Sequence, residues 1–178
     1  DYFTIQSGAD VSADRNEGYG IYNDGGVFTI ENGANVSADN NKSFGIGNSL
    51  GTFIVATGAN VSTDNNNSYG IYNTNSGTFT VERDVDLQVE HNKSSGIVNK
   101  KGATLTLLSG RVRYNTTSQD GGGLRNYATA TLSDDVQLYN NHAEVSGDDI
   151  ENGDGATITF GATGSDWALD GYPDCYHP

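Results

Sequence analysis

The sequence predicts an all-β fold, a single-stranded, right-handed parallel β-helix of about six to seven coils. Three observations predict this fold class. A sequence unit recurs about every 25 residues, each unit has strand-like alternation at three places, and equivalent positions keep the same residue type from unit to unit. A repeat of this length is typical of a solenoid, in which each unit buries its apolar side chains only against its neighbours.

Each unit contains three short segments in which apolar and polar residues alternate. In the second unit these segments are 28–30, 36–38 and 45–48. Alternation with period two is typical of strands, because successive side chains point to opposite faces. Gly, Asn, Asp and Ser fill the stretches between the segments and favour turns. No stretch of ten or more residues has the 3.6-residue apolar period of a helix, so helical fold classes are excluded.

Equivalent apolar positions form columns that we expect to stack along the core. The first strand supplies Phe3, Phe28, Phe53, Phe79, Leu105 and Ala130, and then Ile5, Ile30, Val55, Val81, Leu107, Leu132 and Ile158; the third strand supplies Ile21, Ile46, Ile71, Ile97, Leu124 and Ile150. A hairpin sheet reverses direction at every turn and would not keep one residue type at one phase. Parallel stacking does, and crossovers of this kind are right-handed by default.

Two polar columns are predicted to belong to the scaffold as asparagine ladders. An asparagine at a turn can hydrogen-bond the backbone of its own coil, and stacked amides can bond one another along the axis. The first column is Asn23, Asn48, Asn73, Asn99, Asn126 and Asn152, and the second is Asn16, Asn41, Asn66, Asn92, Thr117 and Asn141.

The chain divides into repeats at 1–160 and a predicted C-terminal capping segment at 161–178. The residues after a seventh first strand, 156–160, leave the repeat pattern. Because the open end of a solenoid exposes its core, terminal units are atypical and cover it. We expect Trp167, the only tryptophan, to take part in such a plug. Cys175 is the only cysteine, so the chain has no internal disulfide framework.

Charge excludes two classes of partner. A net charge of −14 would repel nucleic acid and anionic membrane surfaces. No apolar run approaches the ~20 residues that a membrane-spanning helix needs, so we expect no membrane insertion by this chain. The basic residues concentrate between Lys93 and Arg125, with Arg113 among them. Arg125 and Glu151 share an outward phase, which predicts a charge pair between coils; the alternative is a basic band that binds anionic glycans.

An enzyme is the main alternative to a binding protein, since parallel β-helices host many polysaccharide lyases and hydrolases. Glycoside hydrolysis requires at least two convergent carboxylates. The clearest carboxylate cluster, Asp14, Asp39 and Asp64 with Glu90 in the same phase, is predicted to form an exposed column on a turn without a cleft. We therefore expect no enzymatic activity and no cofactor. Calcium on this column is a lesser alternative, because a divalent ion would relieve the repulsion between stacked carboxylates.

Two surface columns are candidates for recognition. Tyr22 and Tyr72 share the outward phase of the third strand with Gly47 between them, and two rings over a glycine floor would suit a sugar or a partner's side chain. With Arg113 and Arg125 they are the predicted ligand-binding residues. A single outward-facing column of threonines, which we call a threonine file, suggests ice binding as a minor alternative, although threonine is also common in ordinary strands. The file is Thr4, Thr29, Ile54, Thr80, Thr106, Thr131 and Thr157.

Segments 121–126 (GGGLRN) and 138–152 (LYNNHAEVSGDDIEN) resemble the Gly-Gly-Ile-x-Asn and x-Asn-Asn-x-Ala phrases of right-handed β-helix surface proteins. That group includes polymorphic outer-membrane and autotransporter-type adhesins and repetitive cell-surface proteins of gut bacteria. The first three units depart from it by having Tyr-Gly or Phe-Gly instead of Gly-Gly. The resemblance implies a pectin-lyase-like fold, an extracellular location on a bacterial surface, and an adhesin or stalk role toward host or neighbouring-cell glycans or proteins. The alternative is a fragment of a carbohydrate-active β-helix enzyme.

Overall fold

The computed structural model describes residues 1–161, which form a parallel β-solenoid of about six coils without any helix. The all-β prediction and the parallel stacking are confirmed, and the right-handed sense stays a prediction. The predicted capping segment, with Trp167 and Cys175, lies outside the described residues apart from Gly161.

Three parallel sheets form the sides of the solenoid. The first sheet contains β1 (Tyr2–Ile5), β4 (Val27–Ile30), β7 (Thr52–Val55), β10 (Thr78–Val81), β13 (Thr104–Leu107), β17 (Thr129–Leu132) and β21 (Thr157–Phe160). The second sheet contains β2 (Asp10–Ser12), β5 (Asn35–Ser37), β8 (Asn60–Ser62), β11 (Asp86–Glu90), β14 (Gly110–Arg113) and β18 (Val136–Tyr139). The third sheet contains β3 (Ile21–Asp24), β6 (Ile46–Ser49), β9 (Ile71–Thr74), β12 (Ile97–Asn99), β16 (Leu124–Asn126) and β20 (Ile150–Asn152). A short pair, β15 (Thr116–Thr117) and β19 (His142–Ala143), lies in the late coils.

The predicted core columns stack in register, with one exception in the last coil. Phe3 pairs with Phe28, Phe28 with Phe53, and Phe53 with Phe79. The rings lie 4.7, 4.6 and 4.8 Å apart, close to the strand separation of a β-sheet. In the last coil Ile158 pairs with Ala130, and therefore belongs to the first column and not to the second. The turn between β20 and β21 has two residues more than the turn between β16 and β17, which shifts the phase.

The first asparagine ladder is confirmed along the whole solenoid. Each amide nitrogen donates to the amide oxygen of the next coil, at 2.8 Å from Asn23 to Asn48, 3.0 Å from Asn48 to Asn73 and 3.0 Å from Asn73 to Asn99. The ladder continues at 2.8 Å through Asn126 to Asn152. Most of these amides are buried, so the ladder satisfies polar groups that water cannot reach.

The second ladder differs from the prediction in one member: Asn115, not Thr117, follows Asn92. Asn66 and Asn92 are 26 residues apart, whereas Asn92 and Asn115 are only 23 apart. The difference arises because the fifth coil is shorter at the corner between the first and second sheets. Thr117 instead pairs with Ala143 in the short sheet. In each coil the residue before the ladder position has a positive φ of 55–58°, which asparagine tolerates better than most residues. These residues are Arg15, Asn40, Asn65, His91, Tyr114 and Asn140.

Candidate functional site

An aromatic strip of five rings from the first three coils covers part of the outer face of the third sheet. It consists of Tyr19, Tyr22, Phe44, Tyr69 and Tyr72. Tyr19 stacks on Phe44 with 4.1 Å between ring centroids, Phe44 stacks on Tyr72 at 5.3 Å, and Tyr72 stacks on Tyr69 at 5.5 Å. Tyr22 lies against both Tyr19 and Phe44, at 5.3 and 6.1 Å. The strip is therefore one continuous surface.

The predicted glycine floor between Tyr22 and Tyr72 is wrong, because Phe44 covers it. Gly47 does lie between the two tyrosines in register. A Cβ on Gly47 would meet Cε2 of Phe44 at 2.5 Å and Cδ2 of Tyr22 at 2.6 Å, so glycine is required to seat these rings. The strip thus offers exposed ring faces in place of a slot, and Tyr19 and Tyr22 are 48% and 44% exposed.

Sequence reasoning missed Tyr19, Phe44 and Tyr69 as members of the strip. A signal was present, since each of them immediately precedes a glycine at the same phase of its unit. The residues lie on the turn before the third strand, where side-chain direction does not follow the alternation of a strand. Their contribution therefore depends on the turn geometry.

The outward column of the strip continues to Arg125, which brings two of the predicted sites to one face. Tyr72 pairs in register with Val98, Val98 with Arg125, and Arg125 with Glu151. The predicted charge pair between Arg125 and Glu151 does not form. The guanidinium instead lies 3.7 Å from the Asp120 carboxylate, and its side chain is only 12% exposed.

Further contacts of Arg125 position an aromatic ring beside a basic cleft. Arg125 donates a hydrogen bond to the hydroxyl of Tyr127 at 2.8 Å, and another to Gln119. The Lys100 Nζ and the Arg125 Cζ each lie 5.4 Å from the centroid of the Tyr127 ring, within the range of cation–π attraction. Tyr127, Lys100 and Lys101 line a cleft of about 690 Å³, together with Asp154.

Arg113 lies on a different face, at the end of the carboxylate column. The column Asp14, Asp39, Asp64, Glu90 continues in register with Arg113 and then Tyr139. Arg113 Nε donates to Glu90 at 2.7 Å, and its Nη1 donates to the hydroxyl of Tyr139 at 2.7 Å. The bond to Glu90 raises the pKa of Arg113 further, against the effect of burial. Its charge thus balances the last carboxylate of the column, that of Glu90.

Backbone and serine donors already bond both carboxylate oxygens of two calcium candidates, Asp14 and Asp39. Oδ1 of Asp14 accepts the amide of Asp39 at 2.8 Å, and Oδ1 of Asp39 accepts that of Asp64 at 2.7 Å. Oδ2 of Asp14 and of Asp39 accept serine hydroxyls from the neighbouring strands. Within residues 1–161 no group of three or more His, Cys, Asp or Glu is arranged to hold a metal ion.

The pKa values of the three aspartates differ because their carboxyl groups are buried to different extents. Desolvation acts to raise the pKa of Asp14, but hydrogen bonds from Ser12, the Asp39 amide and Ser37 bring it below its ordinary value. Desolvation raises the pKa of Asp39 above its ordinary value. It raises that of Asp64 from 3.8 to about 7, helped by the negative charges of Asp39 and Glu90.

Replacing Asp64 with asparagine is expected to stabilise the protein at pH 8 and to have little effect at pH 4.5. A raised pKa means that the folded state holds a proton more tightly, so its stabilising effect is present below pH ~4 and is lost as the pH rises through about 7. Asparagine keeps the oxygen that accepts the Glu90 amide and removes the charge. We expect a gain of about 1–2 kcal/mol at pH 8, after allowance for screening by water.

Urea unfolding of the wild type and the Asp64→Asn variant at both pH values measures this difference. Asp24→Asn removes an exposed carboxylate and should leave the free energy of unfolding unchanged at either pH. An equal gain from Asp64→Asn at pH 4.5 and pH 8 would contradict the assigned titration.

Comparison with known proteins gives no relative: no family model, no curated protein and no solved structure matches the chain. The described part of the chain contains no helix that is long and apolar enough to cross a membrane. Its three parallel sheets and two asparagine ladders define the chain as a member of the parallel β-solenoid class.

Proposed function

We propose that the chain is a non-enzymatic, extracellular module of a bacterial cell surface that binds glycans of a host or a neighbouring cell. The observation that carries this proposal is the aromatic strip on the third sheet. Sugars present apolar C–H faces that stack on aromatic rings, while the hydroxyls of tyrosine bond to the sugar's edge. Tyr22 and Tyr72, predicted from the sequence, remain the central ligand-binding residues, with the rings of Tyr19 and Phe44 beside them.

The strip is suited to binding because its rings are already ordered. Each ring packs on at least one other ring, and the strands beneath are held by the asparagine ladder. Ordering a flexible side chain at an interface costs about 0.5–1.5 kcal/mol, and this cost is reduced when the rings are already stacked. Exposed aromatic surface of this kind is typical of an interaction site.

The cleft beside Tyr127 adds a preference for anionic sugars. Lys100 and Lys101 line it, and no carboxylate among residues 1–161 forms an ion pair with either lysine. Among the described residues, Asp154 is the one carboxylate that lines the cleft, so the two lysines leave an excess of one positive charge, which a uronate or sulfate group would balance. Arg125 acts by positioning Tyr127, since its own charge is paired with Asp120. Arg113, which is paired with Glu90, is not part of this glycan surface.

The rod shape supports a second role as a stalk that holds a binding surface away from the cell. Seven strands of the first sheet, stacked at ~4.8 Å, span about 29 Å. Inter-coil hydrogen bonds connect every coil to the next, which suits a spacer. A protein partner in place of a glycan and a carbohydrate-active enzyme are the competing functions.

The double variant Tyr22→Ala with Tyr72→Ala is expected to weaken glycan binding about tenfold or more. Two lost stacking contacts of about 0.5–1.5 kcal/mol each give a change of this size. A glycan array that includes uronic-acid and sulfated glycans identifies the ligand, and titration of each variant with that ligand measures the dissociation constant. Tyr2→Ala is the matched control, since Tyr2 is 87% exposed and lies on the first sheet.

Three outcomes would overturn parts of the proposal. Release of reducing sugar from a bound glycan would show that the chain is an enzyme. Equal binding by the double variant and the Tyr2→Ala control would place the site away from the strip. Absence of binding to any glycan by the folded wild type would leave the stalk or a protein partner as the function.

A further inference from the structure

The register places a second threonine file beside the one that the sequence suggests. Both files lie on the outer face of the first sheet, which we call the threonine face. One file is Tyr2, Val27, Thr52, Thr78, Thr104, Thr129 and Thr157. The other is Thr4, Thr29, Ile54, Thr80, Thr106, Thr131 and Thr159. Thr157, predicted for the second file, belongs to the first because of the two-residue shift in the last coil.

The threonine face is uncharged although the chain carries a net charge of −14. Its fourteen positions hold eleven threonines and three apolar or aromatic residues, Tyr2, Val27 and Ile54. The face is regular from β10 onward, where β10, β13, β17 and β21 each present Thr-x-Thr. No protein group within residues 1–161 hydrogen-bonds to these threonine hydroxyls, so they are available to water.

The backbone beneath the first file is fixed from inside by the first asparagine ladder. Asn73 donates to the carbonyl of Thr104 at 2.9 Å, and Asn99 donates to that of Thr129 at 3.0 Å. The same contact joins Asn48 to Thr78 and Asn126 to Thr157. Because threonine is β-branched, its χ1 angle is also restricted. The hydroxyls and methyl groups therefore form a rigid two-dimensional array.

The array has two repeat distances. Neighbouring strands are ~4.8 Å apart, and residues i and i+2 of one strand are about 6.6 Å apart. These distances approximate the two spacings between water oxygens on the prism face of hexagonal ice. Hydroxyls at such points can hydrogen-bond ordered water, and methyl groups between them fit the spaces of the lattice. A charged side chain would disturb this order, and the face has none.

We propose that the threonine face binds ice, through the Thr-x-Thr segments of β10, β13, β17 and β21. This activity does not use the aromatic strip, because the threonine face lies on the first sheet and the strip on the third. The cleft beside Tyr127 borders the threonine face at Thr104 and Thr129. The module would then attach to ice, or hold ordered water, on one side while its aromatic strip faces another partner.

The test compares the full chain with two tyrosine variants. Wild type is expected to open a gap between the melting and freezing points of a single ice crystal and to shape the crystal. The variant Thr80→Tyr with Thr106→Tyr, which places bulky rings in the middle of the second file, should lose most of that gap. Thr116→Tyr, an exposed threonine of β15 outside this face, should keep it. Far-UV circular dichroism and thermal melting confirm that each variant is folded.

A fluorophore on Cys175, the only cysteine, gives a second readout. Labelled wild type should be incorporated into a growing ice hemisphere, and the Thr80/Thr106 double variant should be excluded from it. No gap with the folded wild type, or an equal gap with the Thr80/Thr106 double variant, would overturn the proposal. The Tyr22/Tyr72 double variant should retain the full gap, which separates this test from the glycan test.

Discussion

Replacing Asn73 with leucine is expected to lower the free energy of unfolding by about 3–5 kcal/mol. Asn73 is fully buried and its oxygen accepts a hydrogen bond from Asn48 at 3.0 Å. The two hydrogens of its amide nitrogen are shared among three acceptors, the Asn99 side chain at 3.0 Å and the carbonyls of Gly77 and Thr104 at 3.1 and 2.9 Å. Leucine has a similar volume but makes none of these bonds, and each buried group left unsatisfied costs about 1–3 kcal/mol.

The matched control is Asn60→Ala. Asn60 also donates an amide hydrogen bond to an asparagine of the previous coil, Asn35, at 2.7 Å, but both side chains are exposed. Water replaces the lost partner there, so we expect a loss within about 0.5 kcal/mol. Guanidinium unfolding with an unchanged m-value measures both variants. If Asn73→Leu cost no more than Asn60→Ala, the buried ladder would not stabilise the solenoid.

The core was predictable from the sequence because each coil repeats the same environment. Phe28, Phe53 and Phe79 occupy equivalent positions, so a shared residue type at a fixed period was enough to give the strand register. This holds for any structure in which each unit contacts only its neighbours. Where loop lengths stay constant, residues one period apart in the sequence are also paired in the sheet.

The errors occur where a corner changes length. The fifth coil is shorter at the corner between the first and second sheets, which moves Asn115 into the ladder in place of Thr117. The turn before β21 is two residues longer than the turn before β17, which moves Ile158 and Thr157 into other columns. Hydrogen bonds between strands set the register. A period counted along the chain does not show where a coil has lost or gained residues at a corner.

The candidate site was only partly predictable, since it depends on side chains from turns. Tyr22 and Tyr72 lie on strands and their outward direction followed from alternation. Phe44 comes from the turn before β6, and its ring covers Gly47 in a way that no periodicity indicates. Likewise Arg125 pairs with Asp120 and not with its register partner Glu151, because Asp120 lies on a loop that folds back toward the strand.

Replacing Phe53 with alanine is expected to lower the free energy of unfolding by about 3–5 kcal/mol. The Phe53 ring is fully buried between Phe28 and Phe79, at 4.6 and 4.8 Å, with both pairs of rings nearly parallel. The hydrogen bonds of the sheet fix the distance between coils, so the neighbouring rings cannot move together to fill the cavity. The loss therefore includes a cavity term as well as the lost burial.

Phe3→Ala is the control within the same column. Phe3 is 59% exposed at the end of the stack and its ring contacts Phe28 on one face only, so we expect a loss of about 1 kcal/mol. Phe53→Leu should recover more than half of the loss, since Leu105 occupies this column two coils later. Thermal and guanidinium unfolding of the three variants measure how their losses in the free energy of unfolding compare. Equal losses for Phe53→Ala and Phe3→Ala would show that the stacked column does not hold adjacent coils together, because only the buried ring has a neighbour on both sides.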